Sequence, residues 1–333
     1  MANYKGIQGY TVQSLASDPT ASEVEGQLWY NSASNVWKVS VAGAGAWAAG
    51  GATNTERGHL GGAGSSQTAG LIVGGIIPGG PTTAATESYD GTTWTEVNDL
   101  TTARYRFLSA GTQTAAISMG GATTPPVTPV AVVEEWDGTS WSEEADLNTA
   151  RQDGGAAGTT TAALCIAGGF GNAPPNLAIV EDYNGTSWTE VADINTARRQ
   201  AGTSRQGTPS AALLFAGIDY PDSPYGYVLT ESYNGTTWTE VADMGTARYA
   251  LGSAGTQTDA LAFGGTFPAK TVTEAWNGTA WTEVADLGVA RYQAGSFGST
   301  SSAVIATGQS TAPKAASEEW TSPVYAVKTV TTS

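Results

Sequence analysis

Short apolar runs, separated by glycines and polar turns, recur along most of the chain. Examples are AALCIAGG from Ala162 and ALAFGG from Ala260. Brief apolar runs closed by turn residues are typical of buried β-strands. Sustained helical periodicity is not visible in the sequence. The pattern therefore predicts an all-β protein with many tight turns.

A six-residue motif with an aromatic residue at each end recurs five times, as YDGTTW (Tyr89), WDGTSW (Trp136), YNGTSW (Tyr183), YNGTTW (Tyr233) and WNGTAW (Trp276). Each copy lies in a longer repeat that contains an arginine. These arginines are spaced 43 to 50 residues apart, at Arg57, Arg104, Arg151, Arg198, Arg248 and Arg291. Repeats of this length are typical of β-propeller blades, each a four-stranded sheet. Six repeats predict six blades.

The unit that follows Arg248 shows where the strands fall. ALGSAG is the predicted first strand, DALAFGG the second, TVTEAW the third and TAWTEVADL the fourth. Asn277-Gly278 separates the third from the fourth. Such a dipeptide favours a two-residue hairpin loop with positive φ at both positions.

The predicted hairpin puts the large side chains of each unit on one face. In the copy at Tyr233, Tyr233 would face Thr236 across the turn, and Glu231 would face Trp238. We expect the rings to pack against the next sheet and each Glu to pair with an Arg of the repeat. These structural positions are Tyr89, Trp94, Trp136, Trp141, Tyr183, Trp188, Tyr233, Trp238, Trp276, Trp281, Arg104, Arg151, Arg198, Arg248 and Arg291.

The glycine pair after the second strand, the Tyr–Trp pair and the Arg that opens the next unit resemble kelch repeats over roughly residues 45–322. The resemblance implies a six-bladed kelch-like β-propeller. The chain departs from the pattern in its compact Tyr-to-Trp segment. It also has Ala216-Gly217 and Thr307-Gly308 in place of two glycine pairs.

The last repeat is incomplete, which indicates how the propeller closes. The unit from Arg291 reaches Trp320 and then lacks its NGTxWTEV segment. Trp47 precedes Arg57 at the same offset as Trp94 precedes Arg104, so residues near 40–56 are predicted to supply the missing strand. Closure of this kind protects sheet edges. We therefore divide the chain into an attachment segment with a β-hairpin (1–40), the propeller (41–322) and a C-terminal tail (323–333).

The segment GQLWYNSASNVWKV, residues 26–39, resembles hairpins near the start of bacteriophage tail-fibre and other virion proteins. Kelch-like arrays with NGTxWTEVADL units are similar to those of phages, notably marine ones. These resemblances imply a virion structural protein that is held by other virion proteins through its N-terminal segment. A homotrimer is one option, although no heptads or symmetric interface can be identified.

The composition excludes several classes of function. The net charge of −16 disfavours nucleic acid as a partner. One Cys and one His exclude an internal disulfide and a Cys/His zinc site, and we predict no metal and no cofactor. Cys165 is predicted to be a buried thiol, and His59 a turn or surface residue. There is no signal peptide and no membrane-spanning segment, so we expect synthesis in a host cytoplasm and a final location in the virion.

Catalysis is not predicted. The sialidase Asp-box is one residue short at Ser88–Gly91, and a kelch copper oxidase needs more histidines than the chain has. The carboxylates recur in every unit, whereas an active site is asymmetric. A propeller enzyme remains a remote alternative.

Binding is predicted at the loops between second and third strands, which vary while the scaffold repeats. Candidate residues on this loop face are Phe170, Asn172, Tyr220, Asp222, Tyr225, Tyr227, Phe267 and Lys270. Their aromatic rings suit a host-surface glycan or protein. The predicted function is a tail fibre or adhesin-type component. The alternative is a capsid or tail decoration protein that binds no receptor.

Overall fold

The computed structural model describes residues 13–20, 27–42, 45–124, 127–170, 175–219, 225–266, 268–300, 302–310, 315–323 and 325–330. In these ranges the chain forms 32 β-strands and no helix, so the all-β prediction is confirmed. The chain divides into an N-terminal unit, Met1–Gly45 with Ser322–Ser333, and a main unit, Ala46–Thr321.

The strands of the first half are β1 (Gln13–Leu15), β2 (Leu28–Asn31), β3 (Val36–Ala42), β4 (Ala46–Ala49), β5 (Gly61–Ser66), β6 (Ala69–Val73), β7 (Thr86–Tyr89), β8 (Trp94–Val97), β9 (Leu108–Gly111), β10 (Ala116–Met119), β11 (Ala122–Thr123), β12 (Thr128–Pro129), β13 (Val133–Trp136), β14 (Trp141–Glu143), β15 (Gly155–Thr159) and β16 (Ala162–Gly169).

The strands of the second half are β17 (Asn176–Tyr183), β18 (Trp188–Val191), β19 (Gly202–Thr203), β20 (Ala212–Phe215), β21 (Thr230–Tyr233), β22 (Trp238–Glu240), β23 (Gly252–Gly255), β24 (Ala260–Phe263), β25 (Thr273–Trp276), β26 (Trp281–Glu283), β27 (Arg291–Tyr292), β28 (Gly295–Gly298), β29 (Ser302–Ala306), β30 (Gln309–Ser310), β31 (Ser317–Thr321) and β32 (Tyr325–Thr329).

The N-terminal unit holds one four-stranded sheet in the order β1-β2-β3-β32. Strands β2 and β3 form an antiparallel hairpin, with Leu28 opposite Val39. Asp18 accepts hydrogen bonds from the Trp29 indole (3.2 Å) and the Asn31 amide (2.6 Å), which fixes the chain ahead of the hairpin. The sequence analysis assigned residues 323–333 to a separate tail, but β32 pairs along β3. The prediction from the repeat period missed this pairing because residues 323–333 lie outside the repeat.

In the described residues, six antiparallel four-stranded sheets build most of the main unit, which also has the two-stranded pairs β11-β12 and β27-β30. The four-stranded sheets are sheet 1 (β5, β6, β7, β8), sheet 2 (β9, β10, β13, β14), sheet 3 (β15, β16, β17, β18), sheet 4 (β19, β20, β21, β22), sheet 5 (β23, β24, β25, β26) and sheet 6 (β28, β29, β31, β4). The first strand of each sheet contacts the first strand of the next, and that of sheet 6 contacts that of sheet 1. This all-β arrangement is consistent with a β-propeller.

Sheet 6 takes its fourth strand from the start of the main unit, as the position of Trp47 predicted. Strand β4 pairs antiparallel with β31, and Trp47 lies opposite Trp320. The same cross-strand position in sheet 5 is held by Trp276 and Trp281. The Trp47 ring also packs edge-on against Phe263 of sheet 5, with centroids 4.9 Å apart.

The glycines after the second strands link each sheet to the next. The amide of Gly75 donates to the carbonyl of Arg104 in the following repeat (2.9 Å). The same bond recurs five more times and closes a circle at Gly308 and Arg57, through Gly121–Arg151, Gly168–Arg198, Gly217–Arg248 and Gly265–Arg291. The residue before each of these glycines is also left-handed, and in sheet 3 it is Ala167 with φ of 59°. The glycine pair is therefore broken in three units rather than the two identified from sequence.

The turn in the six-residue motif differs from the predicted two-residue loop. Tyr233 lies opposite Trp238, and Glu231 lies opposite Glu240, so four residues form the loop. Only Gly235, with φ of 88°, is left-handed there; Asn234 is not. The Asn234 carboxamide oxygen instead accepts the amides of Thr236 and Thr237, both at 2.9 Å. This Asx-type turn explains why Asp and Asn alternate at this position.

The corrected register keeps the expected face of the sheet. Tyr233 and Trp238 stack with centroids 4.9 Å apart, and Glu231 is two residues before Tyr233 on the same side. The paired indoles Trp276 and Trp281 are tilted instead, 5.5 Å apart at 42°. Most of these rings are buried, which gives them the packing role expected from the repeat.

The expected Arg–Glu pair is present in all six units, each arginine fully or almost fully buried. The pairs are Arg57–Glu87, Arg104–Glu134, Arg151–Glu181, Arg198–Glu231, Arg248–Glu274 and Arg291–Glu318. The carboxylates also accept backbone amides of the preceding linker, as Glu134 does from Thr101 (2.7 Å). Burial lowers the pKa of Arg104 to about 10, an effect that Glu134 opposes. Each pair thus ties a linker to the third strand of the sheet that follows it.

Candidate functional site

Six residues with left-handed backbone lie where the linkers enter the first strands. We call them the left-handed ring; each stands two positions after a buried arginine, at His59, Arg106, Asp153, Gln200, Ala250 and Gln293. Their φ angles are all between 53° and 59°. Non-glycine residues rarely adopt this conformation, and clusters of them occur at functional sites.

Backbone hydrogen bonds join the left-handed ring into a closed circle. His59 donates to Gln293, Arg106 to His59 and Asp153 to Arg106, each at 2.8 Å. Gln200 donates to Asp153, Ala250 to Gln200 and Gln293 to Ala250, at 2.6 to 2.9 Å. The circle satisfies an amide and a carbonyl of every member, so the unusual conformation is held by six cooperating contacts.

The left-handed ring carries five different residue types, with glutamine at two positions, although the arginine two positions earlier never changes. A shallow depression of about 80 Å³ is lined by all six. Arg106 forms an ion pair with Asp153 at 3.5 Å. The depression is thus surrounded by one imidazole, two carboxamides, one ion pair and one methyl group. Asymmetry of this kind is what a binding site needs.

The residue before each member of the left-handed ring lies on the loop face. Each pairs with the residue that begins the loop between second and third strands, as Tyr105 does with Ala122 and Tyr249 with Thr266. These positions are Gly58, Tyr105, Gln152, Arg199, Tyr249 and Tyr292. Tyr occupies three of these six positions, and Gly, Gln and Arg occupy one each. The variable loops predicted from sequence therefore start directly beside the left-handed ring.

A cleft of about 350 Å³ opens at one side of this face. Its walls come from sheets 1, 2 and 6 and consist of Gly58, His59, Ile76, Ile77, Pro78, Gly79, Tyr105, Arg106 and Gln309. The Arg106 guanidinium lies over the Tyr105 ring at 5.3 Å, and the His59 ring meets that of Tyr105 edge-on at 5.8 Å. Gln309 accepts a hydrogen bond from the Tyr292 hydroxyl at 2.7 Å.

His59 is uncharged at neutral pH. Burial, followed by the charge of Arg106, lowers its pKa to about 3. The sequence analysis had treated His59 as a turn or surface residue, but it is partly buried and lines both the depression and the cleft. A neutral imidazole offers one hydrogen-bond donor and one acceptor.

The binding residues predicted from sequence belong to different loops, and four of the eight lie in the described part of the chain. Phe170 is 43% exposed and Tyr225 is 68% exposed, on loops of sheets 3 and 4. Tyr227 is partly buried and its hydroxyl is 3.5 Å from Asp219. Lys270 is partly buried on the loop of sheet 5. Asn172, Tyr220, Asp222 and Phe267 lie outside the described residues, and a binding role for all eight stays a prediction.

Among the described residues, a side-chain contact that the sequence did not indicate links the start of β17 to the loop of sheet 4. The Asn176 amide donates to Asp219. The sequence analysis also passed over the left-handed ring, because positions that vary between repeats carry no repeat signal. The available clue was the contrast between the invariant arginine and the variable residue two positions later.

Arg205 is a further feature that departs from the repeat. The equivalent position in the other units is glycine with positive φ, at Gly64, Gly111, Gly158, Gly255 and Gly298. The Arg205 guanidinium donates to the carbonyls of Gly62 and Ser109, each at 3.2 Å, and to the Ser253 hydroxyl at 3.2 Å. It therefore connects the segment that follows the first strand of sheet 4 to the first strands of sheets 1, 2 and 5.

The cysteine of the chain is inaccessible. Cys165 is a free, buried thiol as predicted, and burial raises its pKa to about 12. Over the described residues, no group of three or more His, Cys, Asp or Glu side chains is placed to hold a metal ion. The search for a helix long and apolar enough to cross a membrane found none among them.

Comparison with known proteins supports the fold. No family model matches the chain, and no curated protein matches it. Among solved structures, the chain is similar to YjhT, a protein with a β-propeller-like fold. The similarity covers 83% of this chain and 99% of YjhT, at 12% sequence identity and a TM-score of 0.65. At that identity the likeness concerns the architecture alone, which both enzymes and non-enzymes use. The kelch and phage resemblances stay predictions.

Proposed function

We propose that the main unit is a six-bladed, kelch-like β-propeller that displays a recognition surface on a phage virion protein of the tail-fibre or adhesin type. One observation carries the proposal. The left-handed ring carries five different residue types on a backbone that repeats six times, whereas the arginine two positions earlier is the same in every repeat. Variable polar side chains on a rigid, repeated frame are the arrangement used for binding.

Two closed circles of hydrogen bonds, each with one member from every repeat, support the proposal of six blades. The strand order of sheet 6 supports closure by β4. A rigid frame lowers the entropy that must be lost when a ligand binds.

Attachment through the N-terminal unit is the second part of the proposal. The hairpin of β2 and β3 contains the segment that resembles virion proteins, and it belongs to a sheet of its own. Other virion proteins are the proposed partners there, and a trimer would be formed through this unit. The proposed location is the virion.

The proposal includes no catalytic step. An imidazole whose pKa is about 3 is a weak base at neutral pH, far from the value that favours proton transfer. Arg106, the nearest cation, is engaged by Asp153. The residues of the left-handed ring are suited to hydrogen bonding rather than to proton transfer.

The test is binding of the purified full chain to an array of bacterial surface polysaccharides and to bacterial cells. We expect saturable binding that is lost when the loop face is altered at Arg106. A chain that binds neither the array nor cells, yet is incorporated tightly into particles, would instead be a decoration protein. A variant that lacks residues 1–40 should retain surface binding and lose incorporation into particles.

A further inference from the structure

We propose that the cleft between sheets 1, 2 and 6 is the site for a neutral saccharide. This inference rests on the proposed function and names both its site and its ligand class. The cleft volume of about 350 Å³ lies in the range of small-molecule sites, and it equals the liquid volume of about twelve water molecules. That volume accommodates a mono- or disaccharide.

One wall of the cleft is apolar and accessible. Ile76 and Ile77 are partly buried, and Pro78 is exposed at the tip of the loop. Gly79 follows with φ of 65°, and open space surrounds it. The C–H face of a sugar ring can pack on such a wall and remove apolar surface from water.

Other residues that line the cleft offer neutral hydrogen-bonding groups. His59 supplies one donor and one acceptor because its imidazole is uncharged. The Gln309 carboxamide oxygen is engaged by the Tyr292 hydroxyl, which orients the amide. Its Nε2 has no hydrogen-bond partner among the described residues. Sugar hydroxyls both donate and accept, so they match this combination of groups.

Charge favours a neutral ligand over an acidic one. Among the described residues that line the cleft, Arg106 is the one cationic side chain, and its partner Asp153 balances its charge at 3.5 Å. The chain as a whole carries −16, a field that repels anions. For an acidic saccharide, we expect repulsion by the net negative charge of the chain to outweigh attraction to Arg106 at this site.

The experiment titrates the full chain with neutral and acidic oligosaccharides from the array, by calorimetry. Gln309→Ala removes the oriented amide and should weaken binding about tenfold. Ile77→Asp places a carboxylate on the apolar wall and should abolish binding. Gln67→Ala, the same change in the turn between β5 and β6, is the matched control and should leave affinity unchanged. Circular dichroism checks that each variant is folded.

The outcomes separate the two proposals. Neutral saccharide binding that Gln309→Ala and Ile77→Asp leave intact overturns the cleft assignment, while recognition by the loop face stands. Selective binding of acidic saccharides, or of a protein receptor alone, also overturns it. The absence of any surface binding by the unaltered chain contradicts the proposed function itself.

Discussion

At the scale of residues, the buried arginines show how one repeat position serves the whole fold. Each guanidinium bridges a glutamate and main-chain carbonyls, as Arg104 does with Glu134 and with Gly120 (2.9 Å). Such a pair is not strongly stabilising relative to an apolar core, but it is costly to break. The sequence predicted this pairing because both partners recur at fixed spacing.

Glu181→Gln is expected to destabilise the main unit by about 3–5 kcal/mol, because it leaves the Arg151 charge buried without a counterion. Glu190 lies directly opposite Glu181 and is exposed, so Glu190→Gln is the matched control and should change the free energy of unfolding by less than about 0.5 kcal/mol. Urea denaturation measures both. Equal effects would show that the buried pair contributes nothing specific.

Glu135 gives a pH-dependent prediction. Burial, followed by the charge of Glu144, raises its pKa to about 6. A carboxyl group whose folded pKa is raised is favourable while protonated, and that contribution is lost as the pH rises through the interval from about 4.5 to 6. Glu135→Gln should therefore raise the Tm at pH 8 and change it little at pH 4.

The control for this prediction is Glu283→Gln, a change at an exposed position of sheet 5 that should not alter the Tm at either pH. A Tm difference for Glu135→Gln that is the same at pH 4 and pH 8 would contradict the account.

At the scale of elements, the interfaces between sheets are of two kinds that can be identified in the sequence. Where the next sheet carries Tyr in its third strand, the residue that faces it is acidic: Glu319 before Tyr89, Glu135 before Tyr183 and Asp182 before Tyr233. Where the next sheet carries Trp, that residue is small: Ser88 before Trp136, Ser232 before Trp276 and Ala275 before Trp320.

One interface of each kind shows a physical basis for this difference. The Tyr89 hydroxyl donates to Glu319 of the neighbouring sheet. The Trp276 indole instead donates to the Gln257 carbonyl in its own sheet (2.9 Å), and Gln257 reaches back to Ser232 (2.9 Å). A phenol needs an acceptor across the interface, and an indole does not.

The two kinds of interface predict a coupled pair. Trp276→Tyr with Ser232→Glu converts the contact between sheets 4 and 5 into the tyrosine kind. Each single change should destabilise the protein, and the double variant should recover about 0.5–3 kcal/mol of coupling energy. Ser232→Glu combined with Trp136→Tyr, at a separate interface, should be additive. Thermal unfolding of the single and double variants measures the coupling energy. Additivity in both pairs would refute the explanation.

At the scale of the whole molecule, closure of the main unit depends on β4. Trp47 packs on Trp320 and Phe263 and donates to the Thr273 hydroxyl at 3.0 Å. Trp47→Ala should lower the free energy of unfolding of the main unit by about 3–5 kcal/mol. Trp37→Ala, in the hairpin of the N-terminal unit, is the control. It should leave the hydrogen-exchange protection of the main-unit amides unchanged. Similar loss in both variants would argue against closure by β4.

The sequence could predict the strands, the repeat and the role of Trp47, because packing positions recur at a fixed period. It could not predict the motif turn, where the Asn234 side chain replaces a backbone hydrogen bond and lengthens the loop to four residues. It also missed His59, Arg106 and Arg205, since each matters by differing from its counterparts. Repeated positions identify the scaffold, and the residues proposed to bind a ligand lie at positions that differ between repeats.

The most direct test is a crystal structure of the full chain with a neutral oligosaccharide selected from the array. The account predicts six sheets in a closed ring and sugar density between Ile77 and Gln309, within hydrogen-bonding distance of His59. A saccharide bound elsewhere on the surface, or a main unit that is not closed by β4, would contradict it.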